Sequence, residues 1–240
     1  MTLLRRSRHA YSRIGAPIFL LSGACAPQAG SSGGRAVNDL YDLFFLIAAV
    51  IFVIVTGLIA WSIIRYREKP GDDELPRQIN ANIPLEVLWF AIPTVIVVVL
   101  FVMSFGVLNE VNEEAPSGGD AVVVNVEGFQ WGWRFSYENG PAIESLPGSP
   151  AEIVVPVDRP VTFFLDSPDV IHSFYIPRFL LKRDVVPGQT NRLDVTIDDA
   201  GSYGGVCAEF CGLLHHQMDF TLTAVDAPEF EQWLNDQENE

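Results

Sequence analysis

Cys207-Ala-Glu-Phe-Cys-Gly-Leu-Leu-His-His-Gln-Met218 gathers two thiols, imidazole, a thioether and a carboxylate into twelve residues. A group that dense reads as a metal site. Thiolate, imidazole and thioether are soft ligands that suit copper better than magnesium, calcium or manganese, and the Met218 thioether argues against ordinary structural zinc. Three residues separate Cys207 from Cys211, which breaks the Cys-x2-Cys knuckle usual for zinc, and the chain holds no Cys-x-x-Cys-His haem attachment sequence. Thiolates this close can bridge two metal ions, with His215 and Met218 returned by the same tight loop, one to each ion. A further ligand must then come from elsewhere. Of four histidines, His9 lies near the amino terminus and His215 and His216 lie in the loop, which leaves His172 in Asp-Val-Ile-His-Ser-Phe. The plainer alternative is a redox disulfide between Cys207 and Cys211, against which the adjoining His and Met weigh.

Outward from this loop, the second half of the chain is strand-like. Runs rich in β-branched and aromatic residues cover Ala121 to Val126, Trp131 to Tyr137, Ile153 to Val157, Val161 to Leu165, Arg192 to Ile197 and Asp219 to Val225. Turn signals such as Asn139-Gly-Pro, Pro147-Gly-Ser-Pro and Pro187-Gly separate them. Short strands at this spacing predict a Greek-key β-sandwich, and metal ligands in a carboxy-terminal loop plus one earlier histidine fit its cupredoxin variety. Trp131, Trp133, Phe135 and Tyr137 alternate as a strand with one aromatic face would. Pro228 to Asn235 predicts a short amphipathic helix.

The first half is membrane-like. Leu40 to Ile64 is nearly uninterrupted apolar sequence, ~37 Å long as a helix and enough to cross a ~30 Å hydrocarbon core. A second span runs from near Pro84 through Val87 to Leu108 and tolerates Pro93, because a membrane bundle can satisfy the freed carbonyl. Arg65, Arg67, Lys69 and Arg77 flank the loop between the spans, whereas Glu110, Glu113 and Glu114 follow the second. The positive-inside rule therefore puts the loop in the cytoplasm and the metal domain outside. Residues 1–24 read as a secretory leader, with Arg5, Arg6, Arg8 and Arg13 ahead of a short apolar run. Ser22-Gly-Ala-Cys25 is similar to a lipoprotein cleavage box, although Ser22 stands where leucine is usual; ordinary leader cleavage is the alternative. Gly30-Ser-Ser-Gly-Gly reads as a flexible spacer.

These segments predict a membrane-anchored α+β chain: a leader (1–24), a two-helix transmembrane hairpin (38–109, spans about 40–64 and 86–108), a cupredoxin-like domain (117–226) and a carboxy-terminal helix or tail (227–240). Charge divides along the same line. Up to Asn109 there are 9 basic and 7 acidic residues, and from Glu110 onward 6 and 23. So acidic a surface excludes nucleic acid as a partner and suits a cationic protein, whose approach it would steer; solubility or a saline habitat is the plainer account. Three cysteines are too few for a disulfide framework.

The pattern C-x-E-x-C-x3-H-x2-M, preceded by Asp-Val-Ile-His-Ser and by Gln130-Trp-Gly-Trp, resembles subunit II of the haem-copper cytochrome c oxidases over roughly residues 38 to 226. The resemblance implies a binuclear CuA centre in which Cys207 and Cys211 bridge two copper ions, His172 and Met218 complete one, and His215 with the Glu209 carbonyl completes the other. By the same resemblance the Glu209 side chain binds magnesium at the boundary with subunit I, Asp184 lies near that boundary, and His216 is a bystander. Trp131 is implied as the place where electrons arrive from cytochrome c, with Asp169 and other acidic residues forming the docking surface; Gly132 departs from the aromatic usual there. Glu86 matches a glutamate at the mouth of a proton-uptake path, and the plainer role for it is a helix-start carboxylate.

The implied function is a multi-pass subunit of the plasma membrane of a prokaryote, contacting lipid and oxidase subunits I and III. It would pass electrons from cytochrome c, or a cytochrome c domain, to the oxygen-reducing, proton-pumping centre of subunit I. Two alternatives are a quinol-oxidase-type subunit II that has lost copper, opposed by the intact ligands, and a membrane-tethered carrier with a single copper, for which one cysteine would suffice.

Overall fold

The computed structural model describes residues 29–67, 71, 78–113, 121–138 and 140–238. The predicted leader, Cys25, Lys69, Arg77 and Glu114 lie outside them. Helices α1 (Ser32–Arg65) and α2 (Ile83–Val111) come first, and α3 (Ala227–Glu238) comes last. Both α1 and α2 are long and apolar enough to cross a membrane. Large apolar side chains such as Phe52 and Phe101 stand exposed on them, which in a helix apolar all round requires lipid or a protein partner. Pro93 is accommodated within α2, where the next residue, Thr94, donates its hydroxyl to the Phe90 carbonyl at 2.8 Å. At the end of α1 the Arg65 guanidinium lies 5.8 Å from the Tyr66 ring centroid, and Tyr66 meets Trp61 edge-on at 5.4 Å. Such aromatic and basic groups anchor a helix at a bilayer surface.

The spacer expected at Gly30 to Gly34 is instead a docking element. Ser31 is fully buried and caps α1, its Oγ accepting from the Gly34 N–H at 3.2 Å and donating to the Phe179 carbonyl at 3.3 Å. The Gly30 N–H donates to the Arg178 carbonyl at 2.8 Å, the Asp198 N–H donates to the Gly30 carbonyl at 3.3 Å, and Arg35 pairs with Asp198. A Cβ at Gly34 would stand 2.4 Å from the Phe179 carbonyl oxygen. Composition suggested flexibility, but here glycine serves close approach. At the top of α2, Asn112 accepts from Arg183 at 2.7 Å. Both helices are thus fastened to the β-domain.

That domain is two five-stranded sheets face to face. The first runs β3 (Ala142–Ser145), β2 (Gly132–Tyr137), β1 (Val122–Phe129), β5 (Pro160–Asp166), β8 (Asn191–Thr196). The second runs β4 (Glu152–Pro156), β10 (Asp219–Val225), β9 (Gly201–Cys207), β6 (His172–Ile176), β7 (Leu181–Val185). Pairs β1–β5 and β4–β10 are parallel and the remainder antiparallel. All six expected strands are present. Four more were not expected: β3 and β7 carry charge, β6 is a short strand opening on the remote His172, and glycines 201, 204 and 205 disguise β9.

Between the sheets lies an aromatic column. Phe174 stacks on Phe220 at 5.0 Å and tilts against Phe163 at 5.1 Å, while Trp133 sits edge-on to Phe220 at 5.8 Å and Phe174 at 6.0 Å. Rings at these distances attract beyond their buried area. Gly205 makes room for the column, since a Cβ there would stand 2.1 Å from the Phe220 ring. The expected aromatic face is real for Trp133, Phe135 and Tyr137, all buried. Trp131 leaves it, because β2 begins only at Gly132 and Trp131 occupies the turn after β1.

Candidate metal centre

Strand register builds this site. In the second sheet β9 lies between β10 and β6, with Phe174 opposite Cys207 and Asp219 opposite Val206. The Cys207 N–H donates to the Met218 carbonyl at 3.1 Å and the Ala208 N–H to the Ser173 carbonyl at 2.9 Å. One end of three adjacent strands therefore carries His172, Cys207 and Met218. The β9–β10 loop supplies Cys211 and His215, turning at Gly212, whose φ of +121° lies where side chains rarely go, and tightening through a 3-10 turn at His215–Gln217.

Four donor groups close on the two thiols. The sulfurs of Cys207 and Cys211 are 4.0 Å apart; His172 Nδ1 is 3.9 Å from the first, and His215 Nδ1 is 3.6 Å from the second. Met218 Sδ lies 3.3 Å from the Cys211 sulfur, and the Glu209 carbonyl oxygen 3.2 Å from that of Cys207. Ligating atoms of His172, Cys207 and Cys211 all lie within 4.8 Å of one another. Those three residues and Met218 are buried, whereas His215 is half-buried and His216 faces solvent beside Gln217. Both cysteines are free, which leaves the disulfide alternative without support in this geometry. Buried sulfur and nitrogen donors with one carbonyl and no carboxylate oxygen fit copper.

Electrostatics readies the site unevenly. Burial opposes ionising Cys207, but hydrogen bonds to His172 and to the backbone at Glu209 and Ser173 prevail and bring its thiol down to about 7. Burial and the neighbouring Cys207 charge push Cys211 up to about 12. A metal taking both thiolates must therefore displace a proton from Cys211. Burial also opposes charging His172, yet Cys207 and Asp169 raise it above the ordinary imidazole value. Asp169 Oδ1 meets His172 Nε2 at 3.0 Å. That bond assigns the proton to Nε2 and leaves Nδ1 free to ligate, the arrangement of carboxylate-supported metal histidines.

The packing behind the ligands is equally specific. Trp133 lies edge-on to His172 at 6.1 Å and donates its indole N–H to the Met218 carbonyl at 3.1 Å. At Gly128 a Cβ would stand 2.9 Å from the Trp133 ring and 3.3 Å from the His172 side chain. In front of the site, half-buried Trp131 donates its indole N–H to the Cys211 carbonyl at 3.3 Å. Lys182 stands 3.8 Å from the Glu209 carboxylate and 3.7 Å from that of Asp184, bringing these two expected boundary residues onto one cation. Glu86 lies apart from the metal group, in the first turn of α2, where its carboxylate accepts from the Asn82 N–H at 3.2 Å and completes the helix cap. Sequence reasoning did not single out Gly128, Lys182 or a role for Gln130; only Gln130, in its Gln-Trp-Gly-Trp setting, carried a legible signal.

Residues 21–107 match the family described as cytochrome C oxidase subunit II, transmembrane domain, and residues 145–225 its periplasmic domain. Cytochrome c oxidase subunit 2 of Alkalihalophilus pseudofirmus is 34% identical over 84% of this chain and 59% of its own length. Its counterpart in Synechocystis is 30% identical over 87% of this chain and 74% of its own. This chain thus spans less than two thirds of the first relative and about three quarters of the second. The periplasmic domain of subunit II of cytochrome oxidase from Bradyrhizobium japonicum is 29% identical, with a TM-score of 0.48, over 52% of this chain and 98% of that one. The transmembrane match spans most of α1 and α2, and the protein is a membrane protein. A membrane hairpin, a cupredoxin-like sandwich and a buried sulfur and nitrogen donor group thus occur together in a chain that belongs to the cytochrome c oxidase subunit II family.

Proposed function

We propose that this chain is the electron-receiving subunit of a proton-translocating cytochrome c oxidase, located in the plasma membrane of a prokaryote with its β-domain outside. It takes electrons from cytochrome c, or a cytochrome c domain, and hands them to the haem-copper centre of subunit I, where oxygen is reduced; subunit III is a further neighbour. The observation that carries this reading is the convergence of two free, buried thiols with His172, His215 and Met218. The Cys207 and Cys211 thiolates would together hold a pair of copper ions, which would supply one-electron chemistry. His172 and Met218 would serve one ion, and His215 with the Glu209 carbonyl the other.

The protein's own part is to hold that donor set still and dry. Asp169 orients His172, Trp133 and the β9–β10 ladder hold Met218, and burial keeps water from the sulfurs. Trp131, against the Cys211 carbonyl, is where electrons arrive. The Glu209 carboxylate is half-exposed and its hard oxygens suit magnesium, with the remaining ligands supplied by subunit I.

Full-length protein in detergent, loaded with copper, tests the reading. Electron paramagnetic resonance should show one unpaired electron coupled equally to two copper nuclei. Coupling to a single nucleus would support the tethered carrier, and failure to bind copper the quinol-type subunit.

Glu86 is proposed as a group at the mouth of proton uptake, on the ground of an ionisable side chain at a membrane edge. In the assembled oxidase Glu86→Ala should slow proton-coupled turnover at least about tenfold without altering the copper spectrum. Unchanged turnover would leave Glu86 as the cap of α2 alone.

A further inference from the structure

Two neighbouring side chains converge on one backbone atom of the ligand loop. Gln130 Nε2 donates to the Cys211 carbonyl oxygen at 2.7 Å, and Trp131 Nε1 donates to the same oxygen at 3.3 Å. The first is a short, strong geometry and the second lies at the long end of the range. Gln130 is held in turn from behind. Its backbone N–H donates to Asp169 Oδ2 at 2.6 Å, while the other oxygen of that carboxylate holds His172. The β1–β2 turn is therefore bolted to the Cys211 loop by a side chain and to the His172 strand by its main chain.

Two glycines make this contact what it is. A Cβ at Gly212 would stand 3.1 Å from the Trp131 ring and 3.3 Å from Gln130 Nε2, so the loop offers bare backbone to both donors. Gly132, where the family resemblance anticipates an aromatic, has no room for one: a Cβ would stand 2.5 Å from the Ser145 carbonyl oxygen, 3.0 Å from the Phe129 ring and 3.2 Å from Leu146.

On the reading that electrons arrive at Trp131, we propose that Gln130 is a positioning residue for electron uptake. Its amide holds the Cys211 carbonyl within reach of the indole N–H, and the electron crosses that hydrogen bond into the Cys211 main chain and on to its sulfur. One electron would leave the ferrous haem of the donor and one would be gained by the copper that the two thiolates would hold; no covalent bond or proton changes hands. A group that merely stiffened the turn would affect copper retention or stability. One that sets the indole-to-carbonyl contact governs the transfer rate.

The test uses full-length, copper-loaded protein and a reduced soluble cytochrome c mixed in stopped flow. Gln130→Met, similar in length but without a donor, should lower the limiting rate at saturating donor roughly tenfold while the half-saturating concentration stays within about twofold. The two-copper spectrum should persist, and with 13C-carbonyl cysteine the infrared band of the Cys211 carbonyl should move to higher wavenumber. Gln130→Glu, which keeps the arm and loses the donor, should be slowed likewise. Trp131→Phe should be slow by itself, and adding Gln130→Met to it should bring no further slowing, because both act through one acceptor.

An unchanged limiting rate in Gln130→Met, or full additivity in the double variant, overturns the proposal. So does loss of the two-copper spectrum in both Gln130 variants, which would make the residue a support of the ligand loop. If Trp131→Phe alone is not slowed, the assignment of electron arrival fails and this inference falls with it. If only the Gln130 variants keep their rate, that assignment stands without it.

Discussion

Cys211→Ser should abolish the proposed two-copper spectrum while leaving the fold in place. Cys211 is the contact point of the centre: its sulfur meets Cys207 at 4.0 Å, His215 at 3.6 Å and Met218 at 3.3 Å. A serine hydroxyl has nearly the same shape, but it is a hard, neutral donor that does not ionise in the range where a thiol does. Losing a residue that merely supports a ligand already costs about 10 to 100-fold in metal affinity, so losing a bridging ligand should cost at least that at the second site. The chain should still fold, because burying a hydroxyl in place of the thiol costs about 1–3 kcal/mol, less than the stability of an ordinary domain. Metal counting should fall from two coppers per chain towards one or none. A variant that keeps hyperfine coupling to two nuclei would remove Cys211 from its bridging role.

Trp133→Ala should have the largest effect on stability. The indole is fully buried and touches Phe174, Phe220 and His172 across the sandwich. Truncating such a side chain costs about 3–5 kcal/mol through lost contacts and the cavity left behind. The Met218 carbonyl also loses one of its two donors, retaining only the Cys207 N–H. In a domain of this size each kcal/mol moves the midpoint of thermal unfolding by about 4–8 °C, so the fall should exceed about 10 °C. Trp133→Phe keeps most of the ring contacts and loses the hydrogen bond, at about 1–3 kcal/mol. Near-ultraviolet circular dichroism of the copper-free chain measures both. A fall of only a few degrees in the alanine variant would mean that the column closes without it.

The ligand loop was readable because chemistry, not packing, dictates its residues. No core needs two cysteines, a histidine and a methionine at that spacing, and His172 followed because few histidines exist. The spans were readable because their apolar runs exceed what a soluble helix requires. Less visible was everything that depends on contact across the chain. Gly30 to Gly34 has the composition of a linker, and only the Phe179 carbonyl above Gly34 reveals why small residues stand there. β9 was hidden for the same reason, since Gly205 makes way for Phe220 from a neighbouring strand. Trp131 shared the alternation of Trp133 and Phe135, yet pattern alone could not tell a turn residue from the first residue of a strand. Asp169 was legible as a charge, but its bond to His172 was not.

The buried serine ahead of the first helix also has a mechanical meaning. With Ser31, Gly30 and Arg35 gripping the sandwich at one helix and Arg183 gripping Asn112 at the other, the domain is held to both helices by described residues. A carrier on a leash delivers its charge by wandering to its acceptor. On the proposed function, a domain clamped in this way would hand its electrons on from a fixed position, and one residue inserted between Gly30 and Ser31 should break the paired grip of those two on the sandwich.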